Sequence, residues 1–115
     1  MVKGIKIGRL RDWVSFEQFA EVDNEFGEPV RSWTEYLGCR AQVLPAGADE
    51  RIAEGQELSR AQYTIRIRSS SASRAITSRM RAVYDGQVLD ISPPRKLGGR
   101  DRYLELTAVA RSSEQ

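Results

Sequence analysis

The fold is decided by residues 79 to 92, Arg-Met-Arg-Ala-Val-Tyr-Asp-Gly-Gln-Val-Leu-Asp-Ile-Ser. The central Asp85-Gly86 dipeptide is preferred in two-residue type I′ turns, where both residues need a positive φ. A turn there fixes the register of a β-hairpin, because each residue before it faces one residue after it. The predicted pairs are Tyr84 with Gln87, Val83 with Val88, Ala82 with Leu89, Arg81 with Asp90, and Met80 with Ile91. This register buries Met80, Ala82, Leu89 and Ile91 together, leaves an exposed Arg81–Asp90 ion pair, and predicts a β protein.

Composition argues against an enzyme. The chain of 115 residues suits one domain with one core, and it contains no histidine and a single cysteine. Histidine-based triads, histidine metal ligands, internal disulfides and cysteine metal clusters are therefore excluded. Cys39 lies in a predicted strand, where a small buried hydrophobe is the expected role. We expect no catalytic residue, no metal site and no cofactor.

Charge is divided unevenly along the chain. The net charge is only +2, but residues 15 to 57 carry three basic and ten acidic residues, whereas residues 58 to 102 carry ten basic and three acidic residues. Such a subunit could present two faces of opposite sign to copies of itself or to charged partners. Folding could equally interleave the strands and mix the charges, so both arrangements stay open.

The rest of the chain predicts short strands and one helix. Strands are expected at 13–20, 30–36, 40–44, 63–68 and 103–110, with a bulge or bend at Gly38, a helix or mobile loop at 48–61 and a polar loop at 69–73. The predicted fold is mainly β: a small antiparallel barrel or sandwich of six or seven strands, with one short helix after the third. Residues 1–10 are expected to be a flexible basic N-terminal arm, 11–111 one domain, and 112–115 a frayed tail.

Basic residues suggest a contact surface. No acidic residue lies between Arg66 and Arg81, a stretch that includes Arg68, Arg74 and Arg79. Arginine binds phosphate, but the nearby ring of Tyr63 is predicted on the opposite strand face, which disfavours stacking of single-stranded bases. Contact with a DNA backbone or an acidic protein surface stays open, and Trp13 and Trp33 are expected in the core or in subunit contacts. The candidate subunit or partner contacts are Arg66, Arg68, Arg74, Arg79, Arg95, Lys96 and Arg100.

The order of these elements resembles the phage head–tail joining proteins, also called head-closure, stopper or head completion proteins of long-tailed phages and related particles. The matching features span about 100 residues: Arg9-Leu10-Arg11, the turn 23–29 leading to Trp33, Ala41 to Glu50, the strand 63–68, the hairpin 80–91, and Arg102 with Leu104-Glu105-Leu106. The chain departs from the family at Cys39, where many members have a large aromatic residue, and in its longer loops at 69–73 and 93–99.

The resemblance implies a non-enzymatic virion structural protein. Its small β-barrel would form a homo-oligomeric ring under the portal and its adaptor, seal the DNA-filled capsid, and offer a docking surface to a tail-terminator or tail-tube protein. In some relatives, the connection that corresponds to 46–58 projects into the channel as a plug. The candidate plug residues are Asp49, Glu50, Glu54, Gly55 and Glu57.

The same resemblance implies a place in the particle and a set of partners. The expected site is the virion neck, after assembly in the host cytoplasm. The expected partners are other copies, the portal-bound adaptor, the tail protein and packaged DNA, but no membrane. The alternatives are another neck component, an adaptor or tail terminator, or a small nucleic-acid-binding β-barrel.

Overall fold

The computed structural model describes residues 10–46, 61–98 and 102–111, and these form a mainly β structure. The elements are β1 (Asp12–Asp23), β2 (Pro29–Pro45), β3 (Gln62–Arg68), α1 (Ser71–Arg74), β4 (Arg81–Tyr84), β5 (Gln87–Ile91), β6 (Arg95–Lys96) and β7 (Tyr103–Ala110). The predicted fold class is confirmed. The helix or loop expected at 48–61 falls, except for Ala61, outside the described residues, as do the expected tail and all of the expected arm except Leu10.

Six of the strands close a ring of backbone hydrogen bonds. The strand order is β3-β2-β1-β4-β5-β7-β6, and β3 also pairs with β7, so only β6 lies outside the ring. Every pairing is antiparallel. The closure gives each of these six strands a partner on both sides, which shortens the exposed strand edges through which β proteins aggregate. No helix in the described parts of the chain has the length and hydrophobicity of a membrane span.

Antiparallel order assigns every connection to one of two ends of this ring. One end, here called the Asp85 end, carries the start of β1, the β2–β3 connection, the Asp85-Gly86 turn and the end of β7. The opposite end, here called the Arg74 end, carries the β1–β2 turn, the segment 69–80 and the connection 92–102. The two ends therefore expose different stretches of sequence.

The core fills the interior of the ring with side chains from alternating strand positions. On β3, Ile65 and Ile67 are buried and Tyr63, which has the same alternation, is partly buried. Alternate residues of β7 are buried, as are Ala82, Leu89 and Ile91 of the hairpin, while Met80 packs against them and is partly exposed. The core consists of Val14, Phe16, Ala41, Ile65, Ile67, Ile76, Ala82, Leu89, Ile91, Leu104, Leu106 and Ala108.

The β4–β5 hairpin has the predicted register. Its pairs run from Arg81 with Asp90 to Tyr84 with Gln87. Asp85 and Gly86 have φ values of 51° and 77°, as a type I′ turn requires. Alternation along the pleated strands then puts Ala82 and Leu89 inside the ring.

Strands β1 and β2 correct one prediction. Residues 30–36 and 40–44 belong to one 17-residue strand, β2, and the irregularity falls at Tyr36, between the pairs Phe16–Leu37 and Glu17–Glu35, rather than at Gly38. Glycine at 38 leaves room for the Trp13 ring of β1: a Cβ there would lie 2.7 Å from Trp13 Cζ2, so the ring would have to shift.

The prediction of a polar loop at 69–73 is wrong: α1 begins at Ser71, and the segment packs against the rest of the chain. Ser70 caps α1: its Oγ accepts a hydrogen bond from the Ser73 N–H at 3.0 Å, and its own N–H donates to Ser73 Oγ at 2.8 Å. Ser73 is buried, and the Tyr36 hydroxyl donates to the Ala72 carbonyl at 2.8 Å. Reciprocal capping satisfies the polar groups of a serine that would otherwise be costly to bury.

Candidate functional site

The outer part of the β1–β2 hairpin extends beyond the ring. β1 pairs with β4 only from Ser15 to Glu17, so residues 18–23 and 29–34 pair only with each other. Six residues of strand extend about 20 Å. This segment, residues 18–34, is here called the projection. It carries four exposed apolar residues, Phe19, Val22, Phe26 and Val30.

A compact turn holds the tip of the projection. Asn24 Oδ1 accepts hydrogen bonds from the N–H groups of Phe26 at 2.8 Å and Glu28 at 3.0 Å. The Asn24 backbone N–H donates to the Glu28 carbonyl at 2.8 Å, and Gly27 has a φ of 77°. This turn presents Phe26 with 77% of its surface exposed. An aromatic side chain is thus held in water by a fixed backbone.

Trp33 anchors the base of the projection to the outside of the ring. Its ring lies 5.2 Å from that of Phe19, and the guanidinium carbons of Arg81 and Arg111 lie 4.3 Å and 5.8 Å from its centre. Each arginine is held by a carboxylate: Arg81 Nε lies 2.7 Å from Glu17 Oε1, and Arg111 Nη2 lies 2.9 Å from Asp90 Oδ1. Cation–π contacts and ion pairs therefore fix the direction of the projection.

These contacts correct the predicted Arg81–Asp90 ion pair. The two residues face each other across β4 and β5, but Arg81 binds Glu17 of β1 and Asp90 binds Arg111. β4 lies between β1 and β5, so Arg81 has an acidic neighbour on each side. Pairing with Glu17 also places its guanidinium on Trp33, and the two contacts together favour this partner.

We expect Glu17→Ala to destabilise the protein by about 1–3 kcal/mol, because it leaves the Arg81 charge without its partner in a partly buried position. The two side chains are 19% and 21% exposed. Glu21→Ala is the matched control, because Glu21 and Arg31 are 3.9 Å apart and more than half exposed. It should change stability by less than about 0.5 kcal/mol. Urea unfolding of both variants checks this; equal losses would mean that Glu17 acts no differently from a surface charge.

A groove lies beside the base of the projection. It has a volume of about 490 Å³ and is lined by Gln18, Phe19, Trp33, Thr77, Arg79 and Met80. Trp33 and Phe19 form its apolar wall, and Arg79 is exposed at its rim. Trp33 is partly buried, whereas Trp13 is 52% exposed and lies under Arg40, so Trp13 is not a core residue.

The predicted basic contacts do not form one patch. Arg66 and Arg95 both bind Glu105, at 3.0 Å and 3.2 Å, and Arg66 also donates to Gln42. Lys96 is exposed on β6, and Arg100 lies outside the described residues. The remaining arginines of the set, Arg68, Arg74 and Arg79, are exposed at the Arg74 end, together with Arg102.

The candidate plug residues Asp49, Glu50, Glu54, Gly55 and Glu57 lie outside the described residues. The attachment points of their segment are defined. The Ala46 N–H donates to the Gln62 carbonyl at 2.9 Å, and Pro45 pairs with Tyr63. The segment between them therefore leaves and rejoins the ring at adjacent positions of the Asp85 end.

Cys39 is half-buried on β2, and burial raises the pKa of its thiol above the ordinary value. A raised pKa lowers the thiolate fraction at neutral pH. We therefore expect Cys39 to react with thiol reagents more slowly than a small-molecule thiol at every pH from 7 to 9, and at the ordinary rate after unfolding. Following the reaction by absorbance tests this; faster reaction in the folded protein would indicate an activated cysteine. In the parts of the chain that the structure describes, no cluster of acidic residues and cysteine could hold a metal ion.

Comparison with known proteins identifies the family. A sequence model of the phage head completion proteins matches residues 5–111. The chain belongs to this family. The predicted relationship to head–tail joining proteins is thereby confirmed, and a head completion protein is a structural component of a phage particle. No curated protein matches the chain.

Two solved structures show the same fold. The solution structure of protein SF1141 from Shigella flexneri 2a is 26% identical, with a TM-score of 0.65, and the match covers 96% of this chain and 100% of that one. A chain in the virion of a native gene transfer agent particle is 17% identical, with a TM-score of 0.65, and covers 88% and 94%. The second likeness concerns the fold alone.

Sequence reasoning missed several residues of the projection and of its anchor in this head completion protein. Phe19, Phe26 and Arg111 were not singled out, although Phe26 is the most exposed of the large hydrophobic residues in the described parts of the chain. A signal was present: Asn24 and Gly27 suit a tight turn, and apolar residues occur on both faces of the flanking strands. A solvated hairpin normally has one apolar face, so this pattern favours a binding element.

Proposed function

We propose that the protein is a non-enzymatic subunit of a ring in the virion neck, which seals the DNA-filled head under the portal and adaptor and gives the tail a docking surface. The observation that carries the proposal is that the closed strand ring has two different ends. The segment between Ala46 and Gln62 leaves the ring at the Asp85 end, and exposed arginines lie at the Arg74 end. Membership of the head completion family supports the place in the particle. The ring is assembled in the host cytoplasm, and no cofactor takes part.

The Asp85 end is the end we assign to the channel. The segment between Ala46 and Gln62 leaves the ring there. Residues 49–57 carry four carboxylates against one arginine. Several copies around one axis would repel the phosphates of DNA, and Gly47 and Gly55 are candidate hinges for opening.

The Arg74 end is the end we assign to charged protein partners. Its exposed arginines, Arg68, Arg74, Arg79 and Arg102, suit an acidic surface on a neighbouring subunit, the adaptor or a tail-terminator or tail-tube protein. The nucleic-acid-binding alternative loses ground, because Arg66 and Arg81 of its proposed patch are bound by Glu105 and Glu17. A mostly helical adaptor is likewise disfavoured by this mainly β chain.

Removal of the gene tests the proposal. Cells without it should yield DNA-filled or leaking heads that lack tails, and electron microscopy of complemented particles should reveal a ring of this protein between head and tail. Isolated protein should bind DNA weakly. Tailed, infectious particles without the protein would contradict the proposal, as would tight DNA binding with a steep salt dependence by a monomer.

A further inference from the structure

We infer that the tip of the projection on one copy of this protein inserts Phe26 into the groove of the next copy, the groove lined by Phe19, Trp33, Thr77, Arg79 and Met80. This inference rests on the proposed ring of subunits and names the surfaces through which neighbouring subunits would touch. A second copy is the occupant to which the observations on tip and groove point.

The tip has the properties of an anchor. Phe26 is 77% exposed, and two hydrogen bonds to Asn24 Oδ1, from the N–H groups of Phe26 and Glu28, fix its backbone. An aromatic ring in water contributes no free energy of burial, whereas docking would remove its apolar surface from water and so stabilise the contact. Because the backbone of the tip is already fixed, docking loses less conformational entropy.

The groove has the properties of a socket. Its volume of about 490 Å³ lies in the range of pockets of roughly 300–1,000 Å³ that hold small molecules, so it can hold an aromatic ring. Trp33 is held by Phe19 and Arg81, and the wall therefore exists before docking. Met80 adds an adaptable side chain that fits aromatic partners well.

The charges of tip and groove are complementary. Asp23, Glu25 and Glu28 are exposed and lie within three residues of Phe26 in the sequence, whereas Arg79 lines the groove and Arg74 is exposed at the same end of the strand ring. Within the described residues, Asp23, Glu25 and Arg79 make no ion pair. Their opposite charges are thus available to another molecule and would fix the register of docking.

The tip cannot reach the groove of its own chain. Phe19 pairs with Trp33 at the groove, and the turn begins at Asn24, five residues further along an antiparallel ribbon. Five residues of strand extend about 16 Å, and the ribbon cannot fold back on itself. Tip and socket are different surfaces of one subunit, so the contact is head-to-tail. Repetition of such a contact generates a closed ring of subunits when the rotation between neighbours closes, and an open filament when it does not.

Disulfide trapping in particles tests the contact. The variant carries Cys39→Ala, Glu25→Cys and Thr77→Cys, and it is expressed in cells that produce the particle. Oxidation should yield a ladder of covalent multimers beyond the dimer, whereas either single-cysteine variant should yield none. A monomer in particles that contain the protein would overturn the inference, and so would cross-linking that stops at the dimer. Absence of the wild-type protein from particles would instead contradict the proposed function.

Charge exchange provides the second test. Glu25→Arg and Arg79→Glu should each lower incorporation into particles about tenfold, and the double variant should recover most of it, because the pair is restored with its signs reversed. Phe26→Ala should lower incorporation similarly. Asp85→Asn, which changes one charge at the opposite end, is the control and should have no effect. High salt should weaken assembly. Failure of the double variant to recover, or incorporation that is indifferent to all three substitutions, would contradict the inference.

Discussion

Truncation of Phe16 to alanine is expected to lower the free energy of unfolding by about 3–5 kcal/mol, a large share of the 5–15 kcal/mol typical of a small protein. Phe16 is fully buried and faces Leu37 on β2 and Ala82 on β4, next to the irregularity at Tyr36. Its removal would leave a cavity where three strands meet, and closed strands can collapse into it only partly.

Phe26→Ala is the matched control for this experiment. The same side chain is deleted, but from a position that is 77% exposed, and stability should change by less than about 0.5 kcal/mol. Urea unfolding with a common slope for all variants gives both values. If Phe16→Ala lowers the free energy of unfolding by less than about 1 kcal/mol, burial of the Phe16 side chain does not stabilise the closed strand ring as expected. If Phe26→Ala destabilises strongly, the tip packs within its own chain.

Deletion of residues 48–57 is expected to leave the fold intact and to abolish retention of packaged DNA. The fold should survive because Ala46 and Gln62 are already joined by a hydrogen bond, so four remaining residues, Gly47, Leu58, Ser59 and Arg60, can connect Ala46 to Ala61. DNA should escape because the deletion removes the four carboxylates proposed to close the channel. Circular dichroism should show unchanged β structure and thermal unfolding a similar midpoint, while nuclease digestion should degrade DNA that intact particles protect.

A variant whose segment has no carboxylate separates charge repulsion from bulk. Asp49→Asn, Glu50→Gln, Glu54→Gln and Glu57→Gln together preserve the length of the segment and remove its negative charge. If repulsion of phosphates closes the channel, this variant should leak DNA like the deletion. Retention of DNA by this variant would assign closure to bulk, and retention by the deletion variant would reject the plug altogether.

Local patterns predicted the elements whose partners are close in sequence. The Asp85-Gly86 turn fixed five pairs within 12 residues, of which the four from Arg81–Asp90 to Tyr84–Gln87 occur as strand partners. Alternation also places Ile65 and Ile67 of β3 inward, together with Leu104, Leu106 and Ala108 of β7, because one face of each strand meets the core. These features depend on turn chemistry and strand period, both of which a short segment carries.

Partners that are distant in sequence could not be predicted in this way. Arg81 binds Glu17, 64 residues away, and Arg66 binds Glu105, 39 residues away, because ring closure brings their strands together. Without the strand order, a run of arginines resembles a basic patch, although two of its members are neutralised. Ser70 and Ser73 were missed for a local reason: the usual capping box has Glu or Gln at its fourth position, and here a serine fills it.

The even number of strands in the closed ring has a practical consequence for imaging. β1 begins and β7 ends at the Asp85 end, so a rigid label attached beyond either strand would mark the Asp85 end of every copy. In micrographs of assembled necks, labels on both sides of the ring would mean subunits of mixed orientation. Labels on one side only would reveal directly whether the Asp85 end or the Arg74 end points into the head.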